Sequence, residues 1–241
     1  MMSFNSMQAA AHGRRKAAFW VIATGLLLSA CSALPSRPER AALYDFGPGV
    51  SAAAAATPKA GELPPLALTE VETAGGALEN SAVLYRLGYA NAQEVRPYSR
   101  ARWSVPAPQL VRQQLREVMS QDFMMLNAGQ GAALTRVGGQ LPPVLRVTLE
   151  EFSHFFDSET ASHGLVRLRV MLVQNTPAGE VVVAQRRIEA REKAATADAA
   201  GGVAALRAAT TTAGRDVVRW LNEVASPGPG GAKAPAAPTA R

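Results

Sequence analysis

Residues capable of acid–base or nucleophilic chemistry concentrate in one stretch of the chain, Phe152–His163. It holds two of the three histidines, His154 and His163, together with two acids and three serines. A serine hydrolase needs a base within hydrogen-bonding reach of its serine and an acid that orients this base. Residues this close in sequence rarely meet in that geometry, so we expect a solvated turn between two strands. A secreted hydrolase that uses the Ser153–His163 cluster is the alternative.

The single cysteine, Cys31, has chemistry of its own. It directly follows the uncharged, largely apolar segment Ala17–Ala30, which comes after the basic cluster Arg14–Lys16. The apolar segment is too short for a membrane-spanning helix, which needs about 20 residues. A basic region, a short apolar run and small residues are typical of a secretory signal peptide, predicted here for residues 1–30.

The end of this signal, Leu28–Cys31, resembles the lipobox of bacterial lipoproteins, in which the cysteine thiol is acylated. Lipidation of Cys31, including palmitate-type chains, is therefore predicted, and several acyl chains give stable anchoring at a bilayer. A free thiol beside an ordinary cleavage site is the alternative. By resemblance to sorted lipoproteins, Ser32 in place of an aspartate favours the outer membrane.

Other sites are not supported by the motifs present. Gly129–Leu134 lacks the third glycine and the preceding strand of a nucleotide-binding fingerprint, so we interpret it as a loop. The arginines near Tyr98 and Trp103 are the best nucleic-acid candidate, but Glu94 and the export signal argue against that partner. One cysteine excludes an intramolecular disulfide framework, and with three histidines it disfavours structural zinc. We predict no catalytic residue, metal or cofactor.

The basic character of the chain comes from its ends. The formal net charge is +6, but residues 1–30 carry three basic residues and no acid. Residues 62–225 contain 17 basic and 17 acidic residues. The predicted domain is therefore neutral, and its charge gives no reason to expect a polyanionic partner.

The organisation follows from composition and periodicity. After the signal, residues 31–61 are rich in alanine, proline and glycine and are predicted to be a lipidated tether. Residues 62–225 form the predicted periplasmic domain, and residues 226–241 a disordered tail. Alternating apolar residues predict strands, and spacing of three to four residues predicts helices. Strands are predicted at 66–71, 82–86, 144–150, 165–173 and 181–190, and helices at 109–125 and 196–224.

These elements predict a single α/β domain: a mixed, largely antiparallel sheet of about five strands packed with two main helices. The segment Arg96–Pro108, with three prolines and Trp103, is predicted to be a loop. Tyr44 and Phe46 are unusual in a tether and either dock on the protein's own sheet or engage a partner. Together with Trp103 they are the candidate partner-binding residues.

The order of several short motifs resembles the ABC-type transport auxiliary lipoprotein family. After the lipobox come Tyr44–Pro48, Val83–Arg86 and Tyr98–Pro106 before a helix. Val147–Phe152 and a closing helix that ends near Trp220 complete the pattern. The resemblance covers roughly Cys31–Val224. The alanine-rich insert Ser51–Ala60 and the low-complexity tail depart from it without disturbing the matched motifs.

Such membership implies a non-catalytic role. Lipoproteins of this family sit at the periplasmic face of the outer membrane and contact the MCE-domain protein of an ABC-type intermembrane lipid transporter. No catalytic residues come with the resemblance, and lipidation transfers to Cys31 alone. The alternatives are the hydrolase described above and a lipoprotein that stabilises another outer-membrane assembly. A homo-oligomer that matches a multimeric partner is a further hypothesis.

Overall fold

The computed structural model describes residues 40–48, 64–127 and 141–226. All elements below belong to the compact unit Ala41–Arg241. The predicted signal peptide, Cys31, most of the tether, the Gly129–Leu134 loop and the tail after residue 226 lie outside the described residues. The predictions for those segments therefore stand as predictions.

The described residues form one sheet of eight strands and three α-helices. The strands are β1 (Ala42–Tyr44), β2 (Pro65–Thr73), β3 (Ala82–Leu87), β4 (Ala92–Trp103), β5 (Met124–Asn127), β6 (Val144–Phe156), β7 (Ser162–Thr176) and β8 (Gly179–Lys193). The helices are α1 (Gly88–Asn91), α2 (Ala107–Met119) and α3 (Ala199–Ala225).

Strand β6 is the centre of the sheet. Its whole length pairs antiparallel with β7, which pairs antiparallel with β8. Its other edge is shared: β2 pairs with its first half and β3 with its last residues, both in parallel. Strand β5 extends β2, while β4 and then β1 extend β3. The sheet therefore has β1 to β5 on one side of β6 and the long hairpin of β7 and β8 on the other.

The two long helices cover one face of this sheet. Residues Leu110, Val111, Leu115 and Met119 of α2 recur at helical spacing and are buried. Helix α3 begins where the carboxylate of Asp198 accepts a hydrogen bond from the backbone N–H of Gly201 at 2.8 Å, which satisfies one of the free amides of the first turn. Its buried stripe runs from Val203 to Leu221 against β6, β7 and β8. The prediction of a helix at 196–224 is confirmed to within a few residues.

The other sheet face is covered by ion pairs in place of a helix. Arg146 pairs with Glu180, Arg169 and Arg187 both pair with Glu150, and Arg167 and Arg191 both pair with Glu189. This alternation of charged and apolar residues is what placed β6, β7 and β8 in the sequence.

The predicted strand number, about five, was too low, because β1, β4 and β5 were missed. The ladders of β6, β7 and β8 are long and antiparallel, as predicted, but four of the seven pairings among the described strands are parallel. Of the missed strands, β1 and β5 have only three and four residues and β4 alternates weakly, so only tertiary pairing identifies these three.

The predicted loop Arg96–Pro108 was wrong in its first part. Residues up to Trp103 belong to β4, and α2 begins directly after Pro106. Proline breaks a strand only where a ladder N–H is needed. Pro97 pairs with Leu84 of β3, whereas β1 pairs only with Ala101–Trp103. Among the described strands Pro97 has a pairing partner on one side only, so a proline is tolerated there.

The predicted helix at 109–125 also ends earlier than expected. Helix α2 stops at Met119, and the carbonyl of Met119 accepts hydrogen bonds from the N–H groups of Asp122 and Phe123. This turn reverses the chain into β5, which pairs with β2 from Met124 onward. The apolar residues Met124 and Met125 therefore serve the sheet and not the helix.

Candidate functional site

The three aromatic residues singled out in the sequence lie in two environments. Phe46 is 7% exposed and Trp103 is 2% exposed; their rings meet edge to face with centroids 5.8 Å apart. Both also contact Phe152 of β6. Tyr44 is only partly buried. The segment Leu43–Pro48, placed in the tether from its sequence, thus packs on the protein's own sheet through Phe46.

The β1 segment forms one wall of a large groove whose other wall is helix α3. We call this cavity, of about 850 Å³, the β1–α3 groove. Its size lies in the range of small-molecule sites. Its lining includes Leu43, Tyr44, Asp45 and Gly47 on the β1 side, Val203, Ala204, Arg207, Thr211 and Arg215 on α3, and Gln114 and Glu192.

The turn after β1 shapes the rim of the groove. Asp45 Oδ1 accepts a hydrogen bond from the N–H of Gly47 at 2.7 Å, and Gly47 has a φ of +72°. A side chain is disfavoured at that φ. A Cβ at this position would also lie 3.7 Å from a guanidinium nitrogen of Arg207. That distance is an ordinary contact, so the positive φ and not crowding by Arg207 favours a glycine here.

Charged groups of both signs line the groove. The carboxylate of Glu192 accepts a hydrogen bond from Thr212 Oγ1 at 2.6 Å, and that of Asp45 is bound by Gly47. Arg207 and Arg215 also line the groove, and neither guanidinium has an ion-pair or hydrogen-bond partner among residues 40–48, 64–127 and 141–226. A hydrogen bond from a neutral donor does not remove the charge of a carboxylate, so Asp45 and Glu192 balance the charges of Arg207 and Arg215 in the groove.

A smaller cavity continues the groove between α2 and α3. It has a volume of about 190 Å³ and shares Gln114, Thr211 and Arg215 with the larger one. Gln114 is 6% exposed, and its amide atoms are not among the buried side-chain atoms that lack a hydrogen-bond partner in the described part of the chain. It lies where the two cavities meet.

The histidines of the Ser153–His163 cluster are built into the fold. His154 is fully buried in β6, where its Nε2 lies 2.8 Å from Ser162 Oγ and its Nδ1 lies 2.8 Å from Tyr98 Oη. Burial lowers the pKa of His154 to about 4, and burial also raises the pKa of Tyr98. A neutral imidazole between two hydroxyls is therefore the stable state.

The rest of the cluster does not form a hydrolase triad. His163 Nδ1 lies 2.8 Å from Asp157 Oδ2, but its Nε2 is buried without a partner among the described residues, and so is Ser153 Oγ. Ser153 is fully buried and His163 is 9% exposed. A substrate has no open route to either atom, and neither residue lines the β1–α3 groove.

The expected solvated turn is therefore much shorter than the segment Phe152–His163. Strand β6 runs to Phe156 and β7 begins at Ser162. Only residues 157–161 form the turn, closed by hydrogen bonds from the N–H groups of Asp157 and Ser158 to the carbonyl of Ala161. Most of the segment therefore belongs to the sheet, and Phe152, His154 and Phe156 lie on the face that the helices cover.

The described residues hold neither a metal-binding cluster nor a membrane-spanning helix. No group of three or more histidine, cysteine, aspartate or glutamate side chains lies close enough there to hold a metal ion. No helix in the same residues is both long and apolar enough to cross a membrane.

The groove itself was missed in the sequence. Its only local signal is on α3, where Arg207, Thr211 and Arg215 recur every fourth residue along one face. Such spacing is usual for a solvated helix face. The opposite wall comes from β1, far away in the chain, so no sequence window contains both.

Comparisons with known proteins agree with this fold. A family model described as the ABC-type transport auxiliary lipoprotein component matches residues 44–218. The crystal structure of a Xanthomonas campestris protein of the DUF330 family is similar, with a TM-score of 0.54, 15% identity and coverage of 68% of this chain and 86% of that one. Another crystal structure, of an uncharacterised protein, gives a TM-score of 0.54 with 16% identity, covering 76% and 99% of the two chains. At these identities the two structures show the fold alone. No curated protein matches the chain.

Proposed function

The chain belongs to the family of ABC-type transport auxiliary lipoprotein components, and from this membership we propose that it is a non-catalytic subunit of an MCE-type lipid transport system. It is anchored at the periplasmic face of the outer membrane through acylated Cys31, and its domain binds the MCE-domain protein of the transporter. The observation that carries this proposal is the family match at residues 44–218, which extends from the end of β1 into α3.

The way the tether joins the domain supports an adaptor role. The predicted anchor at Cys31 is 11 residues before β1 at Ala42. At about 3.5 Å per residue, this link spans at most ~39 Å. Strand β1 is held by pairing with β4 and by the burial of Phe46 against Trp103 and Phe152. The link therefore keeps the domain close to the membrane and attaches it through a packed element.

The buried histidines support a role without catalysis. His154, Ser153 and His163 have the residue types of a hydrolase, but substrate access to them is blocked by the surrounding sheet. We expect His163→Ala to leave the envelope barrier intact in cells, as judged by resistance to detergent. Complete loss of the barrier with a normally folded variant would favour the hydrolase instead.

Among the aromatic candidates, we propose Tyr44 as the residue that contacts the partner. Phe46 and Trp103 hold β1 against the sheet, so they affect partner binding only by fixing the position of β1. Tyr44 lies at the groove rim and is partly exposed. Tyr89 of α1, which is 48% exposed, is a matched tyrosine outside the groove.

Affinity purification of the full lipoprotein from cells tests this proposal. The wild-type chain should recover the MCE-domain protein; Tyr44→Ala should recover less of it, and Tyr89→Ala an unchanged amount. Failure of the wild-type chain to recover any MCE-domain protein contradicts the proposed function. Recovery of a different outer-membrane assembly would support the alternative that this lipoprotein stabilises such an assembly.

We further propose that the protein forms a homo-oligomer to match a multimeric partner. Gel filtration with light scattering of the detergent-solubilised lipoprotein should give a protein mass above that of one mature lipidated chain. A monomer at the highest attainable concentration rules this out without affecting the proposal of partner binding.

A further inference from the structure

We propose that the open edge of strand β8 binds the same edge of a second copy of this chain, with the two strands antiparallel and the valines at 181–183 at the centre of the contact. This deepens the homo-oligomer proposed above, on which it rests, by naming the surface through which two copies meet. Three features of β8 support it: its exposed valines, the unsupported end of its hairpin and the order of its charges.

Val181, Val182 and Val183 are exposed at an edge of the sheet. They are three of the five large apolar side chains that are exposed among the described residues, with exposed fractions of 52%, 57% and 49%. Among the described strands, β8 pairs only with β7. The run Val181–Gln185 contains no charge and no proline, which are common means of protecting an open edge. An apolar, β-branched edge of this kind favours pairing with another strand.

The end of the hairpin that carries these valines extends past the central strand. Val144, the first residue of β6, pairs with Val173 of β7. Residues 174–176 of β7 therefore have only residues 179–181 of β8 beside them among the described strands. A two-stranded ribbon is only marginally stable in water, and further strands stabilise it. Pairing with a second copy supplies such strands.

The charges on either side of the valines fit an antiparallel copy of the same strand. One acid, Glu180, precedes the valines, and two bases, Arg186 and Arg187, follow them. In an antiparallel pair the acidic end of each copy lies beside the basic end of the other, whereas a parallel pair brings like charges together. All three side chains already have an ion-pair partner in their own copy. Their charges therefore determine the direction of pairing, while backbone hydrogen bonds and apolar contacts supply most of the affinity.

An extra residue in β8 determines the register of this pairing. Leu172 of β7 pairs with Ala184, and the next residue, Val173, pairs with Val182. Val183 therefore has no opposite residue in β7 and forms a bulge. The alternation of side chains between the two sheet faces shifts by one residue at a bulge.

Because of this bulge, Glu180 and Arg187 share a sheet face although they are seven residues apart. Both take part in the ion pairs of the face opposite the helices. Directly opposite residues of an antiparallel pair share a face, so Glu180 of one copy pairs with Arg187 of the other. The same register places Val182 opposite Gln185, with Cα atoms about 4.5–5.5 Å apart. The two copies of Val182 are then three residues apart along the strands, an offset of about 10 Å.

The proposed anchor favours this contact. Acylated Cys31 holds every copy on one membrane, and the link to β1 at Ala42 is 11 residues long. Two domains held on one surface by short links have a high effective concentration for each other. A contact between two strand edges therefore suffices to join them.

Disulfide crosslinking in isolated membranes tests both the surface and the register. Two differently tagged full-length lipoproteins are expressed together, one carrying Val182→Cys and the other Gln185→Cys. Cys31 is the only natural cysteine, and its sulfur is acylated in the proposed lipoprotein. Diamide takes up two electrons and two protons from a pair of thiols and so joins them. A disulfide needs Cα atoms within about 7 Å, so we expect a covalent dimer that carries both tags.

Single cysteine positions separate register-specific pairing from random collision. Membranes that contain only Val182→Cys, or only Gln185→Cys, should give at least tenfold less dimer, because equal positions in the two copies are too far apart. Tyr89→Cys expressed with Gln185→Cys should also give at least tenfold less. Tyr89 is 48% exposed, similar to the valines, but lies outside β8.

A charge at the edge should prevent the pairing. Val181→Lys in both copies places a lysine beside Arg186 of the second copy, so it should lower the mixed dimer at least tenfold. Tyr89→Lys is the matched control and should leave the mixed dimer unchanged. Thermal unfolding of each purified variant checks that the fold is intact.

Several results would overturn the proposal. One is the absence of a mixed dimer from folded chains; another is an equal yield from a single cysteine position, which indicates random contact or another register. A disulfide between Val182→Cys and a different protein would identify the occupant as another polypeptide. An oligomer in gel filtration without the β8 disulfide overturns this interface alone, whereas a monomer in both measurements overturns the homo-oligomer as well. Recovery of the MCE-domain protein, measured in parallel, shows whether the transport role stands independently of both.

Discussion

At Gly164 of β7 the backbone of helix α3 closely approaches the sheet. A Cβ at Gly164 would lie 2.4 Å from the carbonyl carbon of Ala205 and 2.5 Å from the N of Leu206. Both atoms are helix backbone, so no side-chain rotation can relieve the overlap. Only a glycine at this position lets α3 pack on β7.

We therefore predict that Gly164→Ala lowers the free energy of unfolding by about 1–3 kcal/mol, the usual cost of overpacking. Gly76→Ala is the control, because a Cβ there meets no atom within 4 Å. Urea unfolding of both variants measures the difference. Equal stabilities would show that α3 can move away from β7 at little cost.

His154 gives the protein a specific sensitivity to acid. Its folded pKa is lowered to about 4 by burial, while an unfolded chain has a histidine pKa of about 6.5. Between these two values the unfolded state binds a proton and the folded state does not. The stability that the neutral ring contributes is therefore full above pH ~6.5, and it is lost as the pH falls towards 4.

The predicted loss is about 1.4 kcal/mol per pH unit in this window. Unfolding free energies of the wild type and His154→Gln, measured between about pH 7 and 4.5, check it. The variant should be less stable at neutral pH but should show a shallower decline. Parallel curves would mean that carboxylates alone cause the acid sensitivity.

The side-chain partners of His154 illustrate the limit of reading chemistry from residue spacing. The sequence places His154, Ser162 and His163 in one short segment and so suggested a turn. Both strands instead extend almost to the tip of their hairpin. His154 is therefore buried beside Ser162, and Tyr98 of β4 lies against its other ring nitrogen. Tyr98 is far from this segment in the chain, and only the packing of β4 beside β3 brings it near.

At the scale of elements, one ion pair links β3 to β6, the strand with which β3 pairs. Arg86 of β3 contacts both carboxylate oxygens of Glu151 of β6, at 3.1 and 3.0 Å. The same guanidinium donates to the carbonyls of Ala92 and Gln93 at the start of β4. The side chains of this pair are only 19% and 12% exposed.

We predict that Glu151→Ala lowers the free energy of unfolding by about 2 kcal/mol, because it leaves a largely buried guanidinium without its carboxylate. Glu189→Ala is the matched control on the same face. Glu189 pairs with Arg167 and Arg191 but is more exposed, so its loss should cost less than about 1 kcal/mol. Chemical denaturation compares the two, and similar losses would contradict a special role for the Arg86–Glu151 pair.

The elements differ in how strongly their own sequence predicts them. Helix α3 and strands β6–β8 each bury one regular face over many residues, so their hydrophobic periodicity is strong. Strand β4 contains Pro97 and several polar residues, and β1 has only three residues. Their pairing partners, and not their own periodicity, make them strands, and a single sequence does not show those partners.

At the scale of the whole molecule, the proposed anchor gives a prediction about location. The wild-type chain should incorporate labelled palmitate and fractionate with the outer membrane, whereas Cys31→Ala should incorporate none. Multiple acyl chains hold a protein stably on a bilayer, so loss of the thiol removes this attachment. Mass spectrometry of the purified chain locates the modification.

Ser32→Asp separates lipidation from sorting. By the resemblance to sorted lipoproteins, this variant should keep its palmitate label but move to the inner-membrane fraction. A palmitate-labelled Cys31→Ala chain would contradict acylation at this thiol. An unchanged outer-membrane fraction for Ser32→Asp would contradict the sorting signal alone.

Local signals in the sequence were sufficient for the family and for the long helix and hairpin that dominate the domain, and they also predict the signal peptide and the lipobox at Cys31. These features are encoded in contiguous residues, whose order or periodicity is visible without the fold. Tertiary structure alone decided that Phe46 and Trp103 meet in the core, that His154 is held between Ser162 and Tyr98, and that Leu43 faces α3 across a groove. Each of these contacts joins segments distant in the chain or depends on where two strands end. Their physical cause is packing of separate elements around one core, which no local sequence pattern specifies.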